Sequence, residues 1–282
     1  MKTTPRRGER PPGLHYDPGF VGPKDYAAIF EWLGTIHPIW EHRYSDRRPP
    51  PEGQSQRQLL RPVYWLGNWQ FACLDYYRPP AGVENRCVKA EPFPPVLAKL
   101  VKRIEDLVHR KFPPEAMPEK WRCNTCLVNM YGDRIEGKKR TDVARVGEHK
   151  DFEPGPVASI SLGERALFQF VESTRPGSRD SVVLQQWLDD GSLQVFAGRY
   201  WKQRVFHRVQ RVDHRAGARF DIAVEGFETR RVNFTFRYVP DRHVVPFREL
   251  APEAREDVRK YVEVLARNSE WFADALEPDA EP

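Results

Sequence analysis

The sequence predicts an α+β domain that is mainly β, with helices at both ends and a sandwich or barrel of strands between them. The chain contains 26 prolines among 282 residues, almost twice the average usage of about 5%, and proline breaks helix interiors. Between Trp121 and Tyr238, short strand-like runs are separated by turns that contain Gly, Asp or Pro. Apolar residues at helical spacing lie mainly before and after that region. Together these observations favour a β-rich domain over a helix bundle.

Composition indicates an ordered, soluble protein. Hydrophobic residues make up 40% of the chain, and the net charge is only +5, so a sizeable core is possible. No apolar run approaches the length of a membrane span, and the first ten residues lack the apolar centre of a signal peptide. Four cysteines in a chain of this size do not form a disulfide scaffold. We therefore expect a cytoplasmic monomer with no membrane segment.

The first part of the chain predicts two amphipathic helices and a few short strands. Residues 1–12 are polar, basic and proline-containing, which predicts a disordered tail. After the tail we expect a strand around Leu14–Tyr16, a helix near Lys24–Leu33, an exposed loop over 45–57, one or two strands within Pro62–Tyr77 and a helix over Pro95–Phe112. The last of these is the clearest, because its apolar residues share one face and its charged residues the other.

The β-rich region is followed by a predicted helical extension over residues 241–282. The strand-like runs of the region are RCNTCLVNMY, PVASISLG, ALFQFVE, SVVLQQWL, SLQVFAG, RVFHRVQRV and RRVNFTFRYV. In the extension, a stripe of apolar residues predicts a helix over Pro252–Ala266, and a shorter turn over Ser269–Leu276 follows. The sequence thus predicts a tail, one domain over 13–240 and a C-terminal extension.

Three residues of the β-rich region are of the types that bind iron together. His149 and Asp151 form an H-x-D pair, and residues two apart in extended backbone point to the same side. In the run VFHRV, alternation places His207 on one face with two valines. Two histidines and one carboxylate on one side of a metal, with the other positions open, is the arrangement of non-haem Fe(II) oxygenases. His214 is an alternative to His207, although its polar, glycine-containing surroundings indicate a turn.

A later strand carries two arginines on one predicted face. Period two gives this strand a polar face made of Arg231, Asn233, Thr235 and Arg237 and an apolar face made of a valine and two phenylalanines. Inward arginines are costly unless an anion neutralises them, and guanidinium groups bind carboxylates through paired hydrogen bonds. The strand therefore predicts a dicarboxylate ligand. An H-x-D pair alone is more typical of a surface turn, so much of the metal interpretation depends on this strand.

The order of these motifs resembles the AlkB-like branch of the Fe(II)/2-oxoglutarate-dependent dioxygenases. The H-x-D pair, the strand PVASISLG followed by ALFQF, a distant histidine and R-x-N-x-T-x-R stand in the family's order, and Asn129-Met130-Tyr131 is similar to its N-x-Y motif. The resemblance covers roughly residues 13–239. It implies a double-stranded β-helix, or jelly-roll, core. It also implies that molecular oxygen and 2-oxoglutarate are consumed while a C–H bond of the substrate is hydroxylated.

The resemblance assigns a role to each motif residue. It implies that Fe(II) is held by the catalytic residues His149, Asp151 and His207, and 2-oxoglutarate by Asn129, Tyr131, Arg231, Asn233 and Arg237. The two arginines would pair with the two carboxylates of 2-oxoglutarate, and Arg231 would take the distal one.

On the substrate side, the basic runs favour a nucleic acid, and the resemblance implies alkylated DNA or RNA. Residues 199–219 hold seven basic residues and one acidic residue, and a second basic run covers Arg134–Arg145. Two such runs on either side of the metal ligands would attract phosphates, although either alone could be a solvated surface. By resemblance, Trp69 and Tyr76 match aromatic substrate positions and Glu153 would recognise a cationic methylated base that is extruded from its strand. For Trp69, a place in the core is an equally good interpretation.

The sequence therefore predicts an oxidative dealkylase of nucleic-acid bases. The same chemistry on a protein side chain or small molecule is an alternative, and a non-catalytic jelly-roll binding module is another, although a module would not need the metal triad and both arginines. Segment lengths near the site differ from those of compact bacterial repair enzymes, and loops are where substrate choice is made. The C-x-x-C pair at Cys123 and Cys126 is expected to lie in the core.

Overall fold

The computed structural model describes residues 11–43, 57–70, 87–172, 181–210 and 220–276. The strands are β1 (Leu14–Asp17), β2 (His42–Arg43), β3 (Arg57–Gln58), β4 (Val63–Leu66), β5 (Asn68–Trp69), β6 (Cys87–Lys89), β7 (Thr125–Glu136), β8 (Lys139–Asp142), β9 (Val146–His149), β10 (Val157–Gly163), β11 (Ala166–Glu172), β12 (Ser181–Leu188), β13 (Ser192–Phe196), β14 (Phe206–Gln210), β15 (Phe227–Arg237) and β16 (Val244–Val245). The helices are α1 (Pro23–Leu33), α2 (Pro95–Lys111), α3 (Pro252–Ala266) and α4 (Glu270–Leu276), and a π-helical turn covers Tyr200–Arg204.

Two antiparallel sheets form the centre of the fold. The larger has the order β1-β13-β10-β15-β7-β4, with β8 paired to β7, and the smaller has the order β12-β11-β14-β9. From β9 to β15 the chain passes repeatedly from one sheet to the other, which is the double-stranded β-helix, or jelly-roll, arrangement. The predicted mainly β, α+β fold class is therefore confirmed.

The outer face of the larger sheet packs against α1 and α2. Strand β15 shows why, because its alternate residues Val232, Phe234 and Phe236 lie in one apolar core with the buried faces of both helices. Both helices begin at a proline, which is tolerated in a first turn. Since the apolar residues of β15 face the helices, its polar residues must face the space between the two sheets.

The C-terminal helices join this same core. Helix α3 has the predicted bounds, and its residues Val258, Val262 and Leu265 are buried in the core cluster. The hydroxyl group of Tyr261 accepts a hydrogen bond of 2.9 Å from the backbone N–H of His42. No helix in the described ranges is long and apolar enough to span a membrane.

A β-bulge interrupts the pairing of β15 with β7. Thr229 pairs with Gly132 and Arg231 with Tyr131, so Arg230 is the extra residue on β15. A Cβ atom at Gly132 would overlap the carbonyl oxygen of Glu228. The bulge therefore depends on a glycine in the opposite strand, and it allows two consecutive arginines to be buried in different places.

Candidate active site

A cavity of about 240 Å³ lies between the two sheets. Its walls include residues of β7, β10 and β15 on one side and of β9, β11 and β14 on the other. All eight residues predicted to hold Fe(II) or 2-oxoglutarate line it. Apolar side chains, among them Phe168, Leu188 and Phe196, complete the lining. The cavity thus combines an apolar wall with a few convergent polar groups, as ligand sites commonly do.

Strand pairing brings the three candidate metal ligands together. His149 of β9 lies directly opposite His207 of β14, and their ring centroids are 4.2 Å apart. Nε2 of His207 lies 3.3 Å from Oδ2 of Asp151. One donor atom from each of the three residues falls within 4.8 Å of the others. In the described ranges, these residues are the one group of His, Cys, Asp and Glu side chains close enough to share an ion.

The protonation of His149 suits a metal ligand. Its Nδ1 lies 2.9 Å from the carbonyl oxygen of Gly147, so Nδ1 carries the proton and donates it, and Nε2 keeps its lone pair. Desolvation, and then the neighbouring His207, lower the pKa of His149 to about 3. A neutral ring whose other nitrogen donates to a backbone carbonyl is the usual state of a histidine that binds a metal.

Asp151 is held in place by Arg237. The Nε and Nη2 atoms of Arg237 both donate to Oδ1 of Asp151, at 3.0 and 2.8 Å, and both side chains are buried. Burial alone would raise the pKa of Asp151, but the Arg237 guanidinium, followed by His207, holds it well below its ordinary value. The carboxylate is therefore charged, and Oδ2 remains on the side of His207. Two imidazoles and one carboxylate form a donor set that fits Fe(II).

Arg231 stands apart from the metal ligands in the same cavity. It is 3% exposed, its Nη2 donates to the hydroxyl group of Ser161 at 3.1 Å, and its guanidinium lies 4.7 Å from the centre of the Tyr131 ring. Its Nε atom is buried and has no hydrogen-bond partner in the described structure. Burial lowers the pKa of Arg231. A buried guanidinium with an unused donor is what an anion site requires.

The two asparagines line the cavity but are engaged by protein groups. Nδ2 of Asn233 donates to the hydroxyl group of Ser159 at 2.7 Å and to the carbonyl oxygen of Ile160 at 3.0 Å, and its Oδ1 accepts from Thr235. Oδ1 of Asn129 accepts a hydrogen bond of 2.8 Å from Nε of Arg61. Both amides therefore fix neighbouring side chains in this structure.

Arg61 is a cavity residue to which the sequence assigned no role. Val63 pairs with Asn129 in the antiparallel β4–β7 ladder, so Arg61, two residues earlier, falls beside Tyr131. Its guanidinium lies 5.2 Å from the centre of the Tyr131 ring. The sequence does show that Arg61 and Val63, two residues apart, share one face of an extended segment. This predicts a position in the cavity only when β7 is known to be the partner strand.

Of the two interpretations of Trp69, the substrate position and the core position, the described contacts favour the core. This residue is fully buried, its Nε1 donates to Glu41 at 3.0 Å, and its ring meets Tyr261 and Phe272 edge to face. Trp69 is thus a core aromatic that does not line the cavity. Tyr76 and the alternative ligand His214 lie outside the described residues.

Glu153 lies beside Arg237, in the wall of a second cavity. This cavity, of about 310 Å³, is also lined by Gln70, Phe152 and His243. Oε1 of Glu153 accepts a hydrogen bond of 3.0 Å from Gln70 and lies 3.5 Å from Nε of Arg237. Its Oε2 is buried without a hydrogen-bond partner in the described ranges. A buried carboxylate with spare acceptor capacity therefore borders this cavity.

In the predicted basic strip, residues 199–219, three of the four basic residues that the structure describes are buried or lie near carboxylates, and the fourth, Arg199, is exposed. Lys202 is buried and donates to the carbonyl oxygen of Glu153 at 2.8 Å. Arg208 pairs with Glu148 at 2.8 Å, and Arg204 lies 3.5 Å from a carboxylate oxygen of Glu172. In the other basic run, Arg134–Arg145, Arg134 and Arg140 lie near carboxylates, whereas Lys138, Lys139 and Arg145 are exposed. The remainder of the first strip, residues 211–219, lies outside the described structure.

The C-x-x-C pair belongs to the core, as expected. Cys123 and Cys126 are both buried, and burial raises the pKa of each thiol well above its ordinary value. Neither residue belongs to the group of candidate metal ligands.

Comparison with known proteins shows which family the sequence matches. The family model described as the 2OG-Fe(II) oxygenase superfamily matches residues 13–237. Among solved structures, the chain is similar to OsALKBH1, at 20% identity and a TM-score of 0.48, over 82% of this chain and 100% of that one. It is also similar to YcfD, a ribosomal oxygenase from Escherichia coli solved with cobalt and succinic acid, at 11% identity and a TM-score of 0.32, over 95% of this chain and 70% of that one. A search of curated proteins found no match.

Proposed function

The chain belongs to the 2OG-Fe(II) oxygenase superfamily, and from that premise we propose that it oxidatively removes N-alkyl groups from nucleic-acid bases. Members of this family use Fe(II) and 2-oxoglutarate, and molecular oxygen is the third reactant. The observation that carries the proposal is a single cavity that holds three close metal donors together with a buried, under-satisfied arginine.

Fe(II) would be held by His149, Asp151 and His207. Bound together, the metal and 2-oxoglutarate supply the oxidising chemistry, and the protein supplies position and electrostatics. Gly147 fixes the tautomer of His149, Arg237 fixes Asp151, and the ring of Phe168 stacks on His207 at 5.4 Å. Each candidate ligand is thus fixed by a neighbour, which favours a defined coordination geometry.

2-Oxoglutarate would lie in the same cavity, with its distal carboxylate on Arg231. The guanidinium has a free Nε donor for that carboxylate, and such charge-assisted hydrogen bonds are among the strongest in proteins. Phe168, Leu188 and Phe196 surround the remaining space with apolar surface. Such walls exclude bulk water from the reacting groups.

Glu153 supports a cationic base as the substrate. Its buried carboxylate borders the second cavity, beside the arginine that holds the metal-ligand carboxylate. A carboxylate taken out of water favours a positively charged partner, and bases such as 1-methyladenine and 3-methylcytosine are cations. Phe152, which is 40% exposed at this cavity, offers an aromatic surface for an extruded base. Hydroxylation of the N-methyl group would release formaldehyde and the repaired base.

The same oxidation of a protein side chain or small molecule is the second candidate. The observation in its favour concerns the basic strip at residues 199–219. In this strip Lys202 is buried, and Arg204 and Arg208 lie near carboxylates. These residues therefore offer less attraction to phosphates than the bare sequence suggests.

Formaldehyde release from a panel of methylated oligonucleotides tests the proposal. We expect the protein to release formaldehyde from DNA or RNA that carries 1-methyladenine or 3-methylcytosine. Glu153→Gln should lower kcat/KM for these cationic bases about tenfold or more, because a charged hydrogen bond is worth about 1.5–3 kcal/mol. The exposed residue Glu225 supplies the matched control, Glu225→Gln, which should leave kcat/KM unchanged. Succinate production without loss of methyl from any member of the panel would favour the second candidate instead.

A further inference from the structure

Two guanidinium groups meet at one aromatic ring, away from the metal donors. Those of Arg61 and Arg231 lie 5.2 and 4.7 Å from the centre of the Tyr131 ring. Nε of Arg61 donates to Asn129 at 2.8 Å, and its terminal nitrogens have no protein partner in the described structure. Arg231 uses Nη2 for Ser161 and leaves Nε without a partner. Both arginines line the same cavity, and each keeps donors that no described protein group uses.

The charges of these two arginines are not balanced by acidic residues of the cavity. The carboxylates that line it are Glu148 and Asp151, and these pair with Arg208 and Arg237, respectively. No carboxylate among the described residues lies within ion-pair distance of Arg61 or Arg231. Two like charges in a partly desolvated site repel each other, and an anion placed between them removes that cost.

We propose that Arg61 and Arg231 together bind the distal carboxylate of 2-oxoglutarate. This inference rests on the proposed function and adds a residue to its co-substrate site. Arg237, to which the resemblance assigned the other carboxylate of 2-oxoglutarate, directs two hydrogen bonds to Asp151. Arg237 thus orients the carboxylate of Asp151, and Arg61 and Arg231 would bind the distal carboxylate of 2-oxoglutarate.

A co-substrate without the distal carboxylate isolates this role. 2-Oxovalerate has the five-carbon chain and the 2-oxo acid group of 2-oxoglutarate but ends in a methyl group. We would measure the Kd of each compound by calorimetry on Fe(II)-loaded protein without oxygen, so that no turnover occurs. The protein variants are Arg61→Gln, Arg231→Gln and Arg103→Gln. Arg103 is the matched control, because its guanidinium also lies over an aromatic ring, that of Phe20, outside the cavity.

The expected result is selective weakening. Arg61→Gln should raise the Kd for 2-oxoglutarate about 10- to 100-fold, as loss of a charged hydrogen bond does, and leave the Kd for 2-oxovalerate unchanged. Arg231→Gln should act in the same way, and Arg103→Gln should change neither. Arg61→Lys keeps the charge, so its Kd should fall between those of the wild type and Arg61→Gln.

Two results would overturn the inference. An unchanged Kd for 2-oxoglutarate in Arg61→Gln, or an equal loss for both compounds, would show that Arg61 does not recognise the distal carboxylate. Arg61 is only partly buried, so its replacement leaves no charge stranded in the core, and circular dichroism would verify the fold. A wild-type protein that does not bind 2-oxoglutarate would instead contradict the proposed function itself.

Discussion

Both hydrogen bonds from Arg237 to Asp151 end on the same oxygen, Oδ1, which leaves Oδ2 beside His207. The arginine therefore orients a candidate metal ligand and keeps it ionised at the same time. It also lies 3.5 Å from Glu153 at the second cavity. Arg237 thus connects the metal ligands with the cavity to which we assign the base.

Replacing Arg237 should weaken metal binding. In Arg237→Gln, Asp151 loses the guanidinium that opposes its desolvation, and loss of such an outer contact costs about 10- to 100-fold in metal affinity. Titration of the protein with Co(II), followed by its visible absorption, measures this directly. The control is Arg122→Gln, whose guanidinium pairs with Asp241 at the surface. Equal Co(II) affinity in the wild type and Arg237→Gln would contradict the role of Arg237.

The sequence was a better guide to the candidate metal ligands than to the roles of other residues near the site. His149, Asp151 and His207 are found from spacing and strand alternation, because those patterns act over a few residues. The two interpretations of Trp69 could not be separated from the sequence, since an aromatic residue in a strand has the same pattern in a core as in a lid. Arg61 was missed because its role depends on pairing with a distant strand, in which Val63 meets Asn129.

At the scale of elements, the bulge in β15 decides where two consecutive arginines go. Arg231 enters the cavity, whereas Arg230 lies in a cluster of three carboxylates, at 2.7 Å from Asp133, 3.4 Å from Asp142 and 3.3 Å from Glu164. Alternation of side chains between the two faces of the strand correctly predicts the orientation of Arg231 to Arg237, but it does not predict that of Arg230. The sequence contains no pattern that marks the extra residue, although Gly132 in the partner strand permits it.

Loss of Arg230 should destabilise the fold. Arg230→Met would remove a cation that three carboxylates with buried side chains share, and breaking a buried ion pair typically costs about 3–5 kcal/mol. Denaturant unfolding measures the free energy difference. Arg165→Met is the control, because its 3.7 Å pair with Asp189 is solvent-exposed and such pairs contribute about 0–1 kcal/mol. Equal losses in the two variants would contradict a structural role for the cluster.

Two lysines join the chain segments that carry the candidate ligands. Nζ of Lys202, in the π-helical turn before β14, donates to the carbonyl oxygen of Glu153 at 2.8 Å. Nζ of Lys150 donates to the carbonyl oxygen of Gln203 at 2.6 Å. The segment with His149 and Asp151 and the segment before His207 are therefore joined by two hydrogen bonds, one in each direction. These bonds hold the two segments, and hence the three candidate ligands, close together. The sequence suggested a surface role for Lys202, because charge counts do not reveal which ammonium groups reach a carbonyl.

At the scale of the whole molecule, the sequence was most informative about architecture. The bounds of α2 and α3 and the strand content followed from periodicity and proline placement, and the family's motif order supplied the jelly-roll. Net charge was least informative, because the ion pairs that occupy Arg204 and Arg208 come from other strands or loops. Strand β15 contributes both to the architecture and to the site, because its apolar face packs in the core and its polar face lines the cavity.

The central claim is that the cavity performs Fe(II)-dependent oxidation of 2-oxoglutarate, and succinate release measures it most directly. We expect the purified protein to form succinate from 2-oxoglutarate only when Fe(II) and oxygen are present, and a chelator should abolish the reaction. His149→Ala should reduce the rate at least about 100-fold, because it removes a ligand of the metal that carries the chemistry, whereas the distant variant Arg165→Met should retain it. Succinate formation that persists in His149→Ala, or none from the wild type with Fe(II) and a reductant, would contradict the account.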